Sequence, residues 1–531
     1  MTKDLFATEA IAQIPKLLTL LDRNPHSPTY GCFDRNFWQY KIIDFPSGMS
    51  QEFVYPLALA YHTHIINNPF YHQPVIKDWV EAGILYAAKS AHKDGSCDDY
   101  FPFERAGGAA AFSLLACVES YQLLNLKNQK IIDFFVKRAD WLAHHQESGR
   151  LTNHQALIVL CLEILSRLLN TDRWNREKEQ RLEQVLSWQN PEGWFQEYEG
   201  CDPGYHTLTI SCLARIYEFN PHNRLKDAIA KAVILASHFI HPDGSYGGEY
   251  TSRNTYNFFP HGFELVGKWL PEALNINDQF LKGMAKGLAP CYADDHIIGH
   301  HTWNYLLAWR DFAPVRPPLK PRPQGRFRLS EGGILIDRRG NTELYLALNK
   351  GGVFKLFRDG ELRASDTQFS LEVQDGKKLK NAVAHLVSQR YKIEVEEDII
   401  TISGSLGWAK QKQMTTLNLM ILRIVMYSFG RFFPNLIRKL LQKILITGKK
   451  NAPFSFLRQL RWENGHWKVI DELNAESWEQ VVSAGIGCDQ TSIYVVMSRT
   501  FQRGQLRQWL ELTDKIKPLK TGEKLILERE F

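Results

Sequence analysis

The stretch that most limits how this 531-residue chain can fold is 313–325, "APVRPPLKPRPQG", which holds five prolines in thirteen residues. Each proline fixes φ and lacks a backbone N–H, so neither a helix nor a sheet runs through such a segment. The two sides of it follow different periods. Before it, "AAAFSLLACVESYQLL", "HQALIVLCLEILSRLL", "LTISCLARIYEF" and "DAIAKAVILASHFI" repeat apolar residues at i, i+3, i+4 and i+7, the stripe of a core-facing helix. After it, "GGILIDRRGNTELYLAL", "RYKIEVEEDIITISGSL", "HWKVIDEL" and "TSIYVVMSRTF" alternate in short runs between turn residues. Those runs predict antiparallel strands with one apolar and one polar face. The expected fold class is α+β multidomain: an all-α half over 1–312, a linker at 313–325 and a β half over 326–531.

The helical half carries a loose repeat. Gly-containing turns recur at Gly95, Gly149, Gly193 and Gly244, at intervals of 54, 44 and 51 residues. One antiparallel helix pair with its loops fits each interval, and successive pairs predict a curved or closed array, an α/α toroid or incomplete α/α barrel. Each turn is followed by a polar cluster at the start of the next helix: Glu104/Arg105, Asn153/His154, Tyr205/His206 and Arg253/Asn254. Inner helices that all begin at one end would bring the four clusters to one cavity. For any single cluster, a solvated helix start is the competing reading, and Thr152 or Asn153 could simply cap its helix. The Gly-rich loop beyond Gly244 adds Tyr256 and His261, and sixteen of the eighteen histidines lie at or before His301. His-based chemistry is therefore expected in the helical half.

Asn, His, Tyr and Arg together suit removal of the C5 proton of a uronic acid. An amide or guanidinium offsets the carboxylate and the charge that develops on it, His or Tyr takes the proton, and Tyr protonates the departing glycosidic oxygen. The ordinary Tyr pKa of about 10 makes a neighbouring cation such as Arg253 useful. A competing reading is glycoside hydrolysis by two carboxylates among Asp98, Asp99, Glu104, Glu197 and Glu249. A third is a glycan-binding or assembly protein that retains the toroid without the chemistry.

A net charge of +6 gives no support to a nucleic-acid partner. Aromatic residues at 12% suit flat sugar-stacking platforms. The eight cysteines contain no C-x-x-C pair, which points to a reduced compartment. Cys201, Asp202 and His206 make a poor zinc set, so no metal or other cofactor is expected. The N-terminus reads as an amphipathic helix without a signal-peptide pattern, and no apolar run reaches the ~18 residues of a membrane span. The expected location is cytoplasmic. Oligomeric state is left open.

The order of a helical half and a β half, with Asn153-His154 opening one inner helix and "DPGYH" opening a later one, resembles the heparinase II/III-like polysaccharide lyases and their alginate-lyase relatives. The resemblance implies an α/α toroid with an antiparallel β-sandwich. It gives Asn153 the neutralisation of the substrate carboxylate, His154 assistance as base, and Tyr205 the role of acid and base. Glu104, Arg105, His206, Arg253, Asn254, Tyr256 and His261 would then contact an anionic polysaccharide or lipid-linked glycan. "FPFER" and "PDGSYGGEYTSRNT" further resemble heparinase-like proteins of bacterial surface-polysaccharide clusters, which implies exopolysaccharide or lipopolysaccharide metabolism. The chain departs from the family in two respects. The stretch "FRDGELRASDTQFSLEV" lacks the His-x-His-x-Asp-like pattern of the lyases' β half, and the N-terminal stretch does not read as an export signal.

Residues 409–450 interrupt the β period. They contain nine Lys/Arg and no acidic residue, with Pro434 dividing two short apolar stretches. Such a hairpin suits either an anionic membrane surface or packing on the protein's own core.

Overall fold

The computed structural model describes residues 3–531 except 148, 198–199, 292–296, 410–412, 443–449, 492–497 and 499. Among the described residues, twelve helices of six residues or more build the first half: α1 (Asp4–Leu20), α2 (Val54–His62), α3 (Pro74–Ser90), α4 (Gly107–Leu123), α5 (Gln129–His144), α6 (Thr152–Leu169), α7 (Asn175–Ser187), α8 (Pro203–Phe219), α9 (Asn223–Phe239), α10 (His261–Val266), α11 (Glu272–Ala285) and α12 (Ile297–Arg310). The even-numbered helices form an inner ring in which each packs on the next and α12 meets α2, while the odd-numbered helices pack outside. Sequence explains the sorting. α4 and α6 are buried almost all round, whereas α5, α7 and α9 bury one stripe and expose the other. The result is an α/α toroid whose inner helices all start at one end.

The recurrent glycines have a steric cause. Gly95, Gly193 and Gly244 adopt φ of 89°, 101° and 92°. A Cβ on Gly95 would lie 2.6 Å from the Arg138 backbone in α5, and one on Gly193 2.9 Å from Lys231 O in α9. One on Gly244 would collide with Gly283 of α11. Each of these three turns is wedged against the backbone of the next outer helix, a position open only to glycine, whereas a Cβ on Gly149 (φ 97°) would meet nothing within 4 Å. Gly31 is wedged likewise against Ala82 of α3, one repeat earlier than the four turns legible in the sequence.

Two antiparallel sheets follow. The first is a meander of β1 (Gly325–Leu329), β2 (Ile334–Arg339), β3 (Thr342–Ala347), β4 (Phe354–Arg358) and β5 (Glu361–Asp366). The second contains β6 (Phe369–Asp375), β7 (Lys378–Val383), β8 (Lys392–Val395), β9 (Ile399–Trp408), β10 (Asn451–Glu463), β11 (His466–Ala475), β12 (Val481–Ile486), β13 (Leu510–Glu511) and β14 (Lys524–Glu530). Its order is β13-β12-β6-β7-β9-β10-β11-β14, with β8 on β9. The small sheet is the middle of three layers. Ile336, Tyr345 and Phe357 face the toroid core, whereas Leu335, Leu344 and Leu356 face the large sheet. The expected polar, solvated face is therefore absent from β2–β4. Its polar residues pair inside the contact with the helices instead: Arg338 with Glu343 at 3.2 Å and Lys355 with Glu249 at 2.9 Å.

The proline-rich linker is pinned rather than loose. Arg316 pairs with Glu264 and Asp278 at 2.9 and 2.7 Å, and Arg322 with Glu343 at 2.6 Å. The basic insertion leaves between β9 and β10 as α13 (Thr416–Tyr427) and α14 (Pro434–Gln442), and folds back onto the toroid. Met426 and Ile437 pack there on Phe101. Among the described residues, no helix is long and apolar enough to cross a membrane.

Candidate active site

The starts of α6 and α8 are tied together by carboxylates. Neither Thr152 nor Asn153 caps α6: the N-cap position is Leu151, which offers no side-chain acceptor. The acceptor comes from the next repeat, where Glu197 takes the Asn153 backbone N–H and the Asn153 Nδ2, each at 2.8 Å. A carboxylate there also meets the positive end of the helix dipole. The Asn153 Oδ1 is buried without a hydrogen-bond partner among the described residues. α8 starts as its sequence indicates, with Pro203 in the first turn and Asp202 accepting the Tyr205 N–H at 3.1 Å.

Arg253 joins the two helix starts. Its Nε lies 2.8 Å from Asp202 and its Nη2 3.8 Å from Glu197. The guanidinium carbon sits 4.6 Å from the centre of the Tyr205 ring. Asn153, Glu197, Arg253 and Tyr205 thus form one continuous chain of contacts. Burial pushes the Glu197 carboxyl up to about 7, against the pull of Arg253 and Asn153.

His154 stands next to this chain, with Nδ1 2.8 Å from Glu147 Oε2. Burial alone would lower its pKa, but the Glu147 carboxylate reverses that and raises it. Burial would likewise raise Glu147, yet His154 and Arg438 bring it down to about 2. Glu147 therefore favours the protonated form of His154. The Gly107-Gly108 start of α4 makes the room for it. A Cβ on Gly108 would lie 2.5 Å from His154 Cε1, and one on Gly107 2.8 Å from Glu147 Oε1.

Glu104 lies at the same edge. It accepts the Tyr100 N–H at 2.7 Å and meets Arg438 of α14 at 3.4 Å, and burial pushes it up to about 7. Arg438 also approaches Glu147 at 3.9 Å, which links the two carboxylates.

Asn254 and Tyr256 share a loop with Arg253, and the β half holds that loop. Lys350 Nζ donates to Glu249 O at 2.9 Å, to Thr251 O at 2.7 Å and to Asn254 Oδ1. Lys355 pairs with Glu249 and lies 4.7 Å from the Tyr256 ring centre. Burial brings the Lys350 amine down to about 7.

Three expected contact residues stand apart. Arg105 turns outward to Asp94 at 3.0 Å. His206 donates from Nε2 to Ala232 O at 2.9 Å in the outer helix α9, and burial takes it down to about 4. His261 pairs with Asp311 at 2.7 Å and is likewise brought down to about 4 by burial. It opens α10 beside Ser211, roughly 9 Å further down α8 than Tyr205 at ~1.5 Å per residue. Conversely, Glu147, Lys350, Lys355 and Arg438 belong to the arrangement, and Glu197 enters it as a partner of Asn153. Glu147 adjoins the Gly149 turn, the one local sign that marks it. The others become visible only when distant segments meet. Among the described residues, no cluster of His, Cys, Asp and Glu could hold a metal ion.

No family model matches the sequence, and no curated protein sequence does. Solved structures do match in fold. A chondroitin AC lyase from Streptomyces coelicolor A3, in complex with chondroitin sulphate, superposes over 91% of this chain and 67% of its own, with 10% identity and a TM-score of 0.55. The fold is similar to that of a polysaccharide lyase. A mutant of the same enzyme gives 10% identity, the same two coverages and a TM-score of 0.50. A heparinase III covers 91% of this chain and 76% of its own at 10% identity, with a TM-score of 0.46. At 10% identity the two chondroitin AC lyase superpositions establish the order of toroid and β-sheets; the chemistry has to come from the residues themselves.

Proposed function

We propose that the chain acts on a uronate-containing anionic polysaccharide or lipid-linked glycan by removing the proton at C5, leading to β-elimination or epimerisation. The observation that carries this reading is the chain Asn153–Glu197–Arg253–Tyr205 at the starts of two neighbouring inner helices. Asn153 Nδ2 has two hydrogens; Glu197 orients the amide through one, and a substrate carboxylate would take the other. Arg253, together with the protonated form of His154 that Glu147 favours, supplies positive charge where negative charge grows as the C5–H bond breaks. In that form His154 is a charge and a proton donor, and the base role falls to Tyr205 as phenolate. The C5 proton moves to its oxygen. In elimination the C5–H electron pair becomes the C4=C5 double bond, the C4–O4 bond breaks, and the Tyr205 hydroxyl returns the proton to O4. In epimerisation a proton from water reaches C5 from the opposite face, and Tyr205 then loses the abstracted proton to solvent.

Hydrolysis is kept as a second reading by one observation. Glu104 and Glu197 both lie near 7, the property of a general acid. Incubation with a panel of uronate glycans separates the two, because elimination yields an ultraviolet-absorbing enoate and hydrolysis yields none. The expected result is a rise in absorbance that is lost in Tyr205→Phe. Reducing ends released without that absorbance, and undiminished in Tyr205→Phe, would replace the proposal with hydrolysis.

A further inference from the structure

The α13–α14 hairpin has two unlike faces. Its inner face is fixed to the toroid: Met426 and Ile437 pack on Phe101, Arg423 pairs with Asp44 at 3.0 Å, and Arg438 meets Glu104 at 3.4 Å. The outer face exposes large apolar side chains. Leu417, Met420, Ile424, Phe432, Phe433 and Leu436 are 66, 56, 66, 67, 57 and 59% exposed. Six such exposed residues within twenty positions are more apolar surface than soluble proteins usually leave without a partner.

Charge selects the partner. The segment 409–450 contains no Asp or Glu, and among its described residues Arg431 and Lys439 are exposed beside the apolar residues. A surface both apolar and basic matches the boundary of an anionic bilayer, where phosphate headgroups lie directly above acyl chains. A second copy of the hairpin would instead set like charges against each other. The helices are too short to cross. The twelve residues of α13 rise about 18 Å at ~1.5 Å per residue, against a hydrocarbon thickness of ~30 Å. They suit lying in the interface.

We propose that the outer face of this hairpin docks on an anionic lipid surface. Arg438 joins the hairpin to Glu104 and Glu147, at the starts of α4 and α6. Docking therefore holds the mouth of the toroid next to the bilayer. The inference is independent of the chemistry proposed for that mouth.

The test is sedimentation of the full-length protein with vesicles of phosphatidylcholine alone or mixed with phosphatidylglycerol, at low and high salt. Association with the mixed vesicles is expected to exceed that with phosphatidylcholine about tenfold and to weaken with salt. Replacing Phe432, Phe433 and Leu436 together by Ser should lower it about tenfold or more, and Arg431→Glu with Lys439→Glu several-fold. These side chains are exposed, so thermal melting should be unchanged in both variants. Two results would overturn the proposal. One is no sedimentation of the wild type with anionic vesicles, or sedimentation that neither variant reduces. The other is a wild-type dimer by analytical ultracentrifugation that the Ser variant converts to monomer with no vesicle binding, which would assign the face to a second copy.

Discussion

Two buried groups of charges, one in each half of the molecule, are held in opposite ways. In the β half, Arg458 is fully buried and meets Asp366 and Asp471 at 2.8 and 2.6 Å, while Arg529 reaches the same two carboxylates at 2.7 and 2.6 Å. Two cations face two anions, and Asp366 is lowered because Arg458 and Arg529 outweigh its burial. At the toroid mouth, Asp202 and Glu197 share Arg253, and Glu104 and Glu147 share Arg438. Burial wins over the shared cation at Glu197 and Glu104, and both carboxyls rise to about 7. A fully matched cluster fixes a fold. An undermatched one keeps protons exchangeable near neutrality, as acid–base chemistry requires.

Breaking the matched cluster should give the largest effect. Arg458→Ala leaves Asp366 and Asp471 buried without their main cation, and denaturant unfolding should show a loss of ~3–5 kcal/mol. At the mouth, Tyr205→Phe should lower turnover by roughly 100-fold or more while leaving the melting temperature nearly unchanged, since the ring under Arg253 is retained.

The pH dependence separates the two clusters by sign. Asp366 is lowered from its ordinary 3.8, so its contribution is present above that pH and is lost as the pH falls further. Glu197 and Glu104 are raised from 4.5 to about 7, so the folded state holds their protons more tightly than the unfolded chain. Their contribution is complete below 4.5 and is lost as the pH rises to about 7, by up to ~3 kcal/mol each. Glu147, lowered to about 2, works in the opposite sense, and its contribution disappears in acid. Denaturant unfolding of Glu197→Gln between pH 4.5 and 7 should therefore show a flatter decline than the wild type.

Gly108→Ala places a methyl group against the His154 ring and should cost ~1–3 kcal/mol, with a fall in turnover if the Glu147–His154 pair serves the chemistry. Arg438→Ala is the mildest change. The Tyr100 N–H still supports Glu104, so a loss of ~1 kcal/mol is expected in thermal unfolding.

Much of the architecture was legible because its causes are local. Apolar periods separated the helical half from the β half, and the glycines at 95, 193 and 244 marked turns that only glycine can make. Asp202-Pro203 announced the start of α8 and put Tyr205 in its first turn. The middle position of the small sheet was not legible, because alternation in "GILIDRRGNTELYLAL" looks the same whether the second face meets water or a toroid. At the mouth, residue types at helix starts pointed to Asn153, His154 and Tyr205. Their partners could not be read, since Glu197 lies 44 residues from Asn153 and Lys350 lies 96 residues from Asn254. His206 shows the opposite failure: it adjoins Tyr205 in sequence, but a helix turns neighbours to different faces, and it points into α9.

The most direct test of the chemistry assigned to the mouth is the fate of the C5 hydrogen. Uronate glycans deuterated at C5 would be incubated with the wild type and with Tyr205→Phe, and deuterium at C5 followed by NMR. Loss of C5 deuterium with the wild type and its retention with Tyr205→Phe is the predicted result. Turnover that leaves every C5 deuterium in place would contradict it.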